Sequence, residues 1–204
     1  MKDVRICVLG DSYVVGVGDL TGRGWVGHVA SAARARGHNL TVYNLGVRRD
    51  TSVDVSRRWF GEVRLRLTDG DVFGVVPAFG VNDVDVRSGR RLVPRSRTLA
   101  VLGKMLDDAR GARWATFVVG PPPVADLETT QRIGDLATGI GQVCAARKVP
   151  FVNVAAALSC DEVWNQEVAA GDAYHPSARG YERLAALIRE PLLWWLDDRV
   201  KSRS

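Results

Sequence analysis

The chain has 204 residues, enough for one compact domain covering residues 1–204. A hydrophobic fraction of 46% with 25% charged residues fits a globular protein and excludes a disordered or fibrous one. The net charge of +5 comes mostly from arginine, yet these residues are interleaved with acids and form no basic run with aromatics, which argues against nucleic acid as a partner.

No apolar run is long enough to span a membrane. The first ten residues hold a strand-like run without a small-residue cleavage site, so a cytoplasmic location is expected. Cys7, Cys144 and Cys160 form no CxxC pair, and buried free thiols are expected rather than a disulfide scaffold or a zinc site. The three histidines, His28, His38 and His175, are equally scattered. No cofactor is implied.

In chain order, Val4, Ile6, Val8 and Leu9 make a short apolar run that breaks at Gly10-Asp11-Ser12. Such a run reads as a strand buried on both faces, with a serine just past its carboxyl end. A glycine-rich loop follows, and Trp25, Val26, Val29, Ala32 and Ala33 then give helical spacing. Residues 40–45 are the second strand, ended by Gly46. Thr51 with Asp54 is a capping-box pattern ahead of a helix marked by Val55, Trp59, Phe60 and Val63.

Residues 71–78 are the third strand and lead into Gly80-Val81-Asn82-Asp83. The arginine-rich stretch 84–97 reads as a loop, and Leu99, Leu102, Leu106 and Ala109 mark a helix after it. Residues 114–119 are the fourth strand and 150–154 the fifth, separated by a helix through Ile133, Leu136 and Ile140. A short helix is expected around Glu162–Val168, then a loop, then a last amphipathic helix through Tyr181, Leu184 and Ile188. Trp194-Trp195 near the tail suit either packing on the domain or contact with a second copy.

Five apolar strands alternating with helices define an α/β fold, a three-layer α/β/α sandwich. In the flavodoxin-like order 2-1-3-4-5, the five-stranded parallel sheet places the first three strand ends around one crevice. The polar loop 171–176 can reach the same edge.

These residues supply the parts for nucleophilic acyl transfer. Ser12 needs a base, and His175 is the histidine placed to serve. Asp172, three residues earlier, can accept the other ring N–H. The N–H groups of Ser12 and Gly46 and the amide of Asn82 are the donors available to an oxyanion. Asp11 and Asp83 read as loop-holding residues.

At these positions the chain resembles the SGNH hydrolases, the GDSL esterase/lipase family. Gly10-Asp11-Ser12, Asn44-Leu45-Gly46, Gly80-Val81-Asn82-Asp83 and Asp172-Ala173-Tyr174-His175 match its four blocks in order. Tyr13 departs from the leucine of the name-giving motif, and Arg48-Arg49-Asp50 stands where small residues are usual. The GxSxG elbow of the α/β-hydrolases is absent, since position 14 is valine.

The resemblance implies a serine hydrolase of small or short-chain esters or thioesters, acting on a small-molecule ester through an acyl-enzyme. A deacetylase of O-acetylated sugars, with Tyr13, Tyr174 and Trp25 for stacking, an acyltransferase and a non-catalytic binding module are the alternatives. Arg48, Arg49, Arg87, Arg90, Arg91, Arg95 and Arg97 follow the second and third strand ends. They are positioned to ring the crevice mouth and favour an anionic or polar ester.

Overall fold

A parallel sheet organises the computed structural model, which describes residues 1–201; the last three residues of the expected domain lie outside that range. Strand β1 (Asp3–Gly10) sits between β2 (Asn39–Gly46) and β3 (Val72–Ala78) and pairs in parallel with both. The register sets Gly10 level with Gly46 on one side and Ala78 on the other. Three carboxyl ends therefore finish in one row.

The chain leaves β1 directly into a single helical turn, α1 (Ser12–Val15), and then α2 (Gly24–Ala35). Helix α3 (Ser52–Arg64) follows β2 and starts with the expected capping box: Thr51 Oγ1 accepts from the Asp54 N–H, and Asp54 accepts from the Thr51 N–H. After β3 come a short turn, α4 (Val81–Val84), a hairpin of β4 (Val86–Arg87) and β5 (Arg90–Arg91), and the long helix α5 (Arg95–Gly111).

The hairpin corrects the loop expected over 84–97. Its two turn residues, Ser88 and Gly89, both have positive φ, 51° and 75°. A two-residue connection with both φ positive matches the twist of its strands, and Gly89 makes one of the two positions free of cost.

The expected fourth strand is divided. Its first part, β6 (Ala115–Thr116), pairs with β3; its second, β7 (Val118–Val119), pairs with β8 (Phe151–Val152). Between them the Phe117 N–H still donates to Val75 O at 3.2 Å, while its buried ring lies 5.6 Å from that of Trp195. The continuous five-stranded ladder thus becomes a four-stranded sheet ordered β2-β1-β3-β6, continued by the β7–β8 pair. The strand sequence across the sheet is the expected one.

Helix α6 (Leu127–Ala146) precedes β8, and α7 (Ala155–Ser159), α8 (Glu162–Ala170) and α9 (Ala178–Lys201) complete the chain. The β1-to-β2 and β2-to-β3 crossovers run in opposite directions across the sheet, and right-handed connections then put α2 and α3 on opposite faces. Helix α2 packs on α9, and α5 packs on both α3 and α6. One hydrophobic core runs through both interfaces.

Helix α9 carries Trp195 inward and leaves Trp194 62% exposed, so the two tryptophans have different environments. Cys7 and Cys144 are buried free thiols, whereas Cys160 is exposed. Among the described residues, no helix is long and apolar enough to cross a membrane.

Candidate active site

The strand-to-helix junction at Gly10-Asp11-Ser12 is built to present a hydroxyl. Asp11 caps α1 by accepting the Tyr13 N–H at 3.0 Å, which turns the chain sharply after β1. Ser12 becomes the first helical residue, and its own N–H has no acceptor among the described residues. Asp11 is fully enclosed, its Oδ2 lacks a hydrogen-bond partner among the described residues, and burial pushes its carboxyl up to about 7.

Ser12 Oγ lies 2.7 Å from His175 Nε2, and His175 Nδ1 lies 2.7 Å from Asp172 Oδ2. Because a carboxylate can only accept, the ring proton sits on Nδ1 and Nε2 faces the hydroxyl as an acceptor. The other Asp172 oxygen accepts the N–H groups of Tyr174, at 3.0 Å, and His175, at 2.8 Å. Partial burial works against its charge, but these N–H bonds from His175 and Tyr174 prevail and hold the carboxyl at about 2. A hydroxyl, an imidazole and a charged carboxylate thus form one hydrogen-bonded line.

Two supports, buried Tyr13 and half-buried Glu167, hold the histidine loop. Tyr13 is 4% exposed, donates its hydroxyl to Tyr174 O at 2.5 Å, and sets its ring 5.0 Å from that of His175. Glu167 on α8 accepts from the N–H groups of Ser177 and Gly180, at 3.0 and 2.7 Å, and fixes the start of α9. Gly18 (φ 94°) lets the loop after α1 pass beneath the histidine; a Cβ there would stand 2.4 Å from Pro176 O.

Asn82 opens α4 beside Ser12. One amide hydrogen goes to Asp50 O at 2.9 Å, which orients the group and leaves its second hydrogen for the cleft. Buried Asp83 secures the same turn by accepting from the Ser52 N–H and the Thr98 hydroxyl, both at 2.7 Å. Asp50 is held in turn by Arg58, whose guanidinium also donates to Gly10 O at 3.0 Å.

Gly46 ends β2 level with Gly10, against the serine turn. Its N–H donates to Asn44 Oδ1 at 3.0 Å, while Asn44 Nδ2 donates to Val14 O at 2.6 Å. A Cβ on Gly46 would stand 2.5 Å from Val15 N and 2.8 Å from Asp11 O. Glycine is needed here because β2 presses against the serine turn, and the N–H is already engaged. It does not line the cleft.

The residues that line the cleft at this strand end belong to the next turn. The Asp50 N–H donates to Val47 O at 3.2 Å, closing a turn over Arg48 and Arg49, with Arg49 at φ 72°. Turns of this shape ask for glycine at that third position, and a side-chain-bearing residue there costs roughly 1 kcal/mol or more. The strain was invisible in the sequence, because arginine carries no turn signal.

Together these groups surround a cleft of about 260 Å³, lined by Ser12, His175, Asp172 and Asn82 with Arg48, Arg49, Arg87, Asp85, Leu92 and Tyr174. Trp25, considered for stacking, is only 2% exposed and belongs to the core. Tyr174 reaches the cleft and donates its hydroxyl to Asp85 at 3.2 Å. His38 pairs with Asp197 and His28 lies beside the α2–α9 interface, both away from the cleft. Among the described residues, no group of three or more His, Cys, Asp or Glu is arranged to hold a metal ion.

In an open α/β sheet the crevice at the carboxyl edge of the strands is where ligands bind, and here it holds the Ser12–His175–Asp172 line. The chain belongs to the GDSL-like lipase/acylhydrolase family, whose model matches residues 8–183. Among solved structures it is similar to a lipase/acylhydrolase from Enterococcus faecalis, at 26% identity and a TM-score of 0.76, with 95% of this chain and 96% of that chain covered. TesA matches at 22% identity and a TM-score of 0.74, covering 92% of this chain and 97% of that one. A catalytic mutant of an acetylxylan esterase from Geobacillus stearothermophilus matches at 18% identity and 0.73, covering 92% and 93%. No curated protein matches the sequence.

Proposed function

We propose that this hydrolase is a serine esterase that cleaves small or short-chain carboxylic esters or thioesters through an acyl-enzyme. The observation that carries the reading is the line Ser12–His175–Asp172, with 2.7 Å at each step. In the first half-reaction His175 Nε2 takes the Ser12 proton as Oγ attacks the ester carbonyl carbon. Asp172 stays charged, fixes the tautomer and stabilises the imidazolium that forms.

The oxyanion of the tetrahedral intermediate is met by the Ser12 N–H and the second amide hydrogen of Asn82. We assign the third donor to the backbone of the Arg48-Arg49 turn instead of Gly46, since that turn faces the cleft and the Gly46 N–H is committed. Collapse breaks the C–O or C–S bond, and the imidazolium returns its proton to the departing alcohol or thiol. Water, activated by the same His175, then releases the acid and restores Ser12.

The small cleft favours short acyl groups. Of the three aromatics considered for sugar stacking, Trp25 is in the core and Tyr13, though it borders the cleft, is only 4% exposed, which favours simple esters over acetylated glycans. Hydrolysis of p-nitrophenyl acetate tests the reading: Ser12→Ala abolishes turnover and His175→Ala nearly does. Activity that survives Ser12→Ala would overturn it.

A further inference from the structure

We propose that the preferred ester carries an anionic group, a carboxylate or a phosphate, held at the cleft rim by Arg48, Arg49 and Arg87. The inference rests on the esterase reading and names the substrate class of the same site. The structure sorts the seven arginines that follow the second and third strand ends. Arg91 and Arg95 turn to Asp135, at 3.9 and 3.2 Å, while Arg90 and Arg97 are exposed outside the cleft. Only Arg48, Arg49 and Arg87 line it.

These three come from two separate segments, the strained turn after β2 and the hairpin strand β4. None has a carboxylate partner within 4 Å among the described residues. The carboxylates inside the cleft balance them only in part: Asp85 feels the charge of Arg87, and neither Arg48 nor Arg49 has such a neighbour among the described residues. Asp172 is committed to His175 and two N–H groups, and Asp85 is half-buried under the Tyr174 hydroxyl. Guanidinium groups present planar pairs of donors that match carboxylate or phosphate oxygens, and they stay charged at any working pH.

A simple neutral ester uses none of this. Mutual repulsion of like charges and backbone strain are instead retained at the rim, where Arg49 holds a conformation that glycine would adopt freely. An anionic ester would be drawn in by the local field and bound by unpaired donors. Because the three arginines are exposed, the effect must be sensitive to salt.

The test uses two matched pairs, each corrected for uncatalysed hydrolysis. For the acyl side, kcat/KM is compared for p-nitrophenyl hydrogen glutarate and p-nitrophenyl butyrate. For the alcohol side, acid release is compared for 1-acetylglycerol 3-phosphate and 1-acetylglycerol. In at least one pair the anionic ester should lead by on the order of tenfold at low salt. That ratio should fall towards one in 0.5 M salt and in the double variant Arg48→Gln/Arg87→Gln; which pair responds tells whether the charge sits on the acid or the alcohol. A ratio at or below one in both pairs, or one indifferent to salt, overturns the proposal while leaving the esterase reading intact. Failure of all four esters with the unaltered enzyme overturns the esterase reading itself, and the proposal falls with it.

Discussion

Ser12 and His175 are 163 positions apart in the chain, yet their Oγ and Nε2 atoms lie 2.7 Å from each other. Neither residue holds that distance by itself. Ser12 is fixed by the Asp11 cap at the end of β1, and His175 by the Tyr13 hydroxyl below its loop and by Glu167 at the start of α9.

In the proposed mechanism Asn82 has a chemical role and Gly46 a packing role. Asn82→Ala should cost about 10²–10³ in kcat on a neutral ester, the usual effect of losing one oxyanion donor, with a small change in melting temperature. Gly46→Ala should lower both activity and melting temperature, because its Cβ would collide with backbone atoms of the serine turn. Steady-state kinetics paired with thermal melts check both. A kinetically silent Asn82→Ala would remove that donor from the account.

Tyr13 acts through His175 without touching substrate chemistry. Tyr13→Phe keeps the ring against the imidazole and deletes the bond to Tyr174 O. The half-buried carbonyl then loses a partner, a cost of about 1–3 kcal/mol when no water replaces it. The expected outcome is a several-fold drop in kcat with KM nearly unchanged. A KM effect alone would place Tyr13 in substrate binding instead.

Asp11 makes stability depend on pH. Its carboxyl is raised to about 7 in the fold by burial, above its ordinary value of 3.8. Between those values the folded protein binds the proton more tightly than the unfolded chain, so stability falls as pH rises from about 4 to about 7. Asp11→Asn keeps an oxygen for the Tyr13 N–H and removes the charge. Its melting temperature should gain on that of the unaltered protein as pH rises from 5 to 8. A difference that stays constant across this range would contradict the burial argument.

Much of this was legible because the signals were local. The apolar run of β1, the Thr51 capping box and the helical spacing around Val55, Trp59 and Val63 are short-range patterns with a direct physical cause. The line from Ser12 to Asp172 was reachable because parallel strands bring their carboxyl ends together. What stayed hidden depends on contacts between distant segments. The split at Phe117 answers to Trp195, nearly eighty positions on, and no local pattern encodes it. The packing demand on Gly46 was equally hidden, since its missing Cβ serves the close approach of Val15. Arg49 carries a left-handed backbone without a turn-forming residue, so only coordinates could reveal it.

The most direct measurement is intact-mass analysis after exposure to a fluorophosphonate. A hydroxyl becomes reactive towards this reagent only when a base activates it. One adduct per chain is predicted, mapped by peptide sequencing to Ser12, lost in Ser12→Ala and strongly slowed in His175→Ala. An unlabelled native protein, or an adduct on a different residue, would contradict the shared-hydroxyl arrangement on which the whole reading stands.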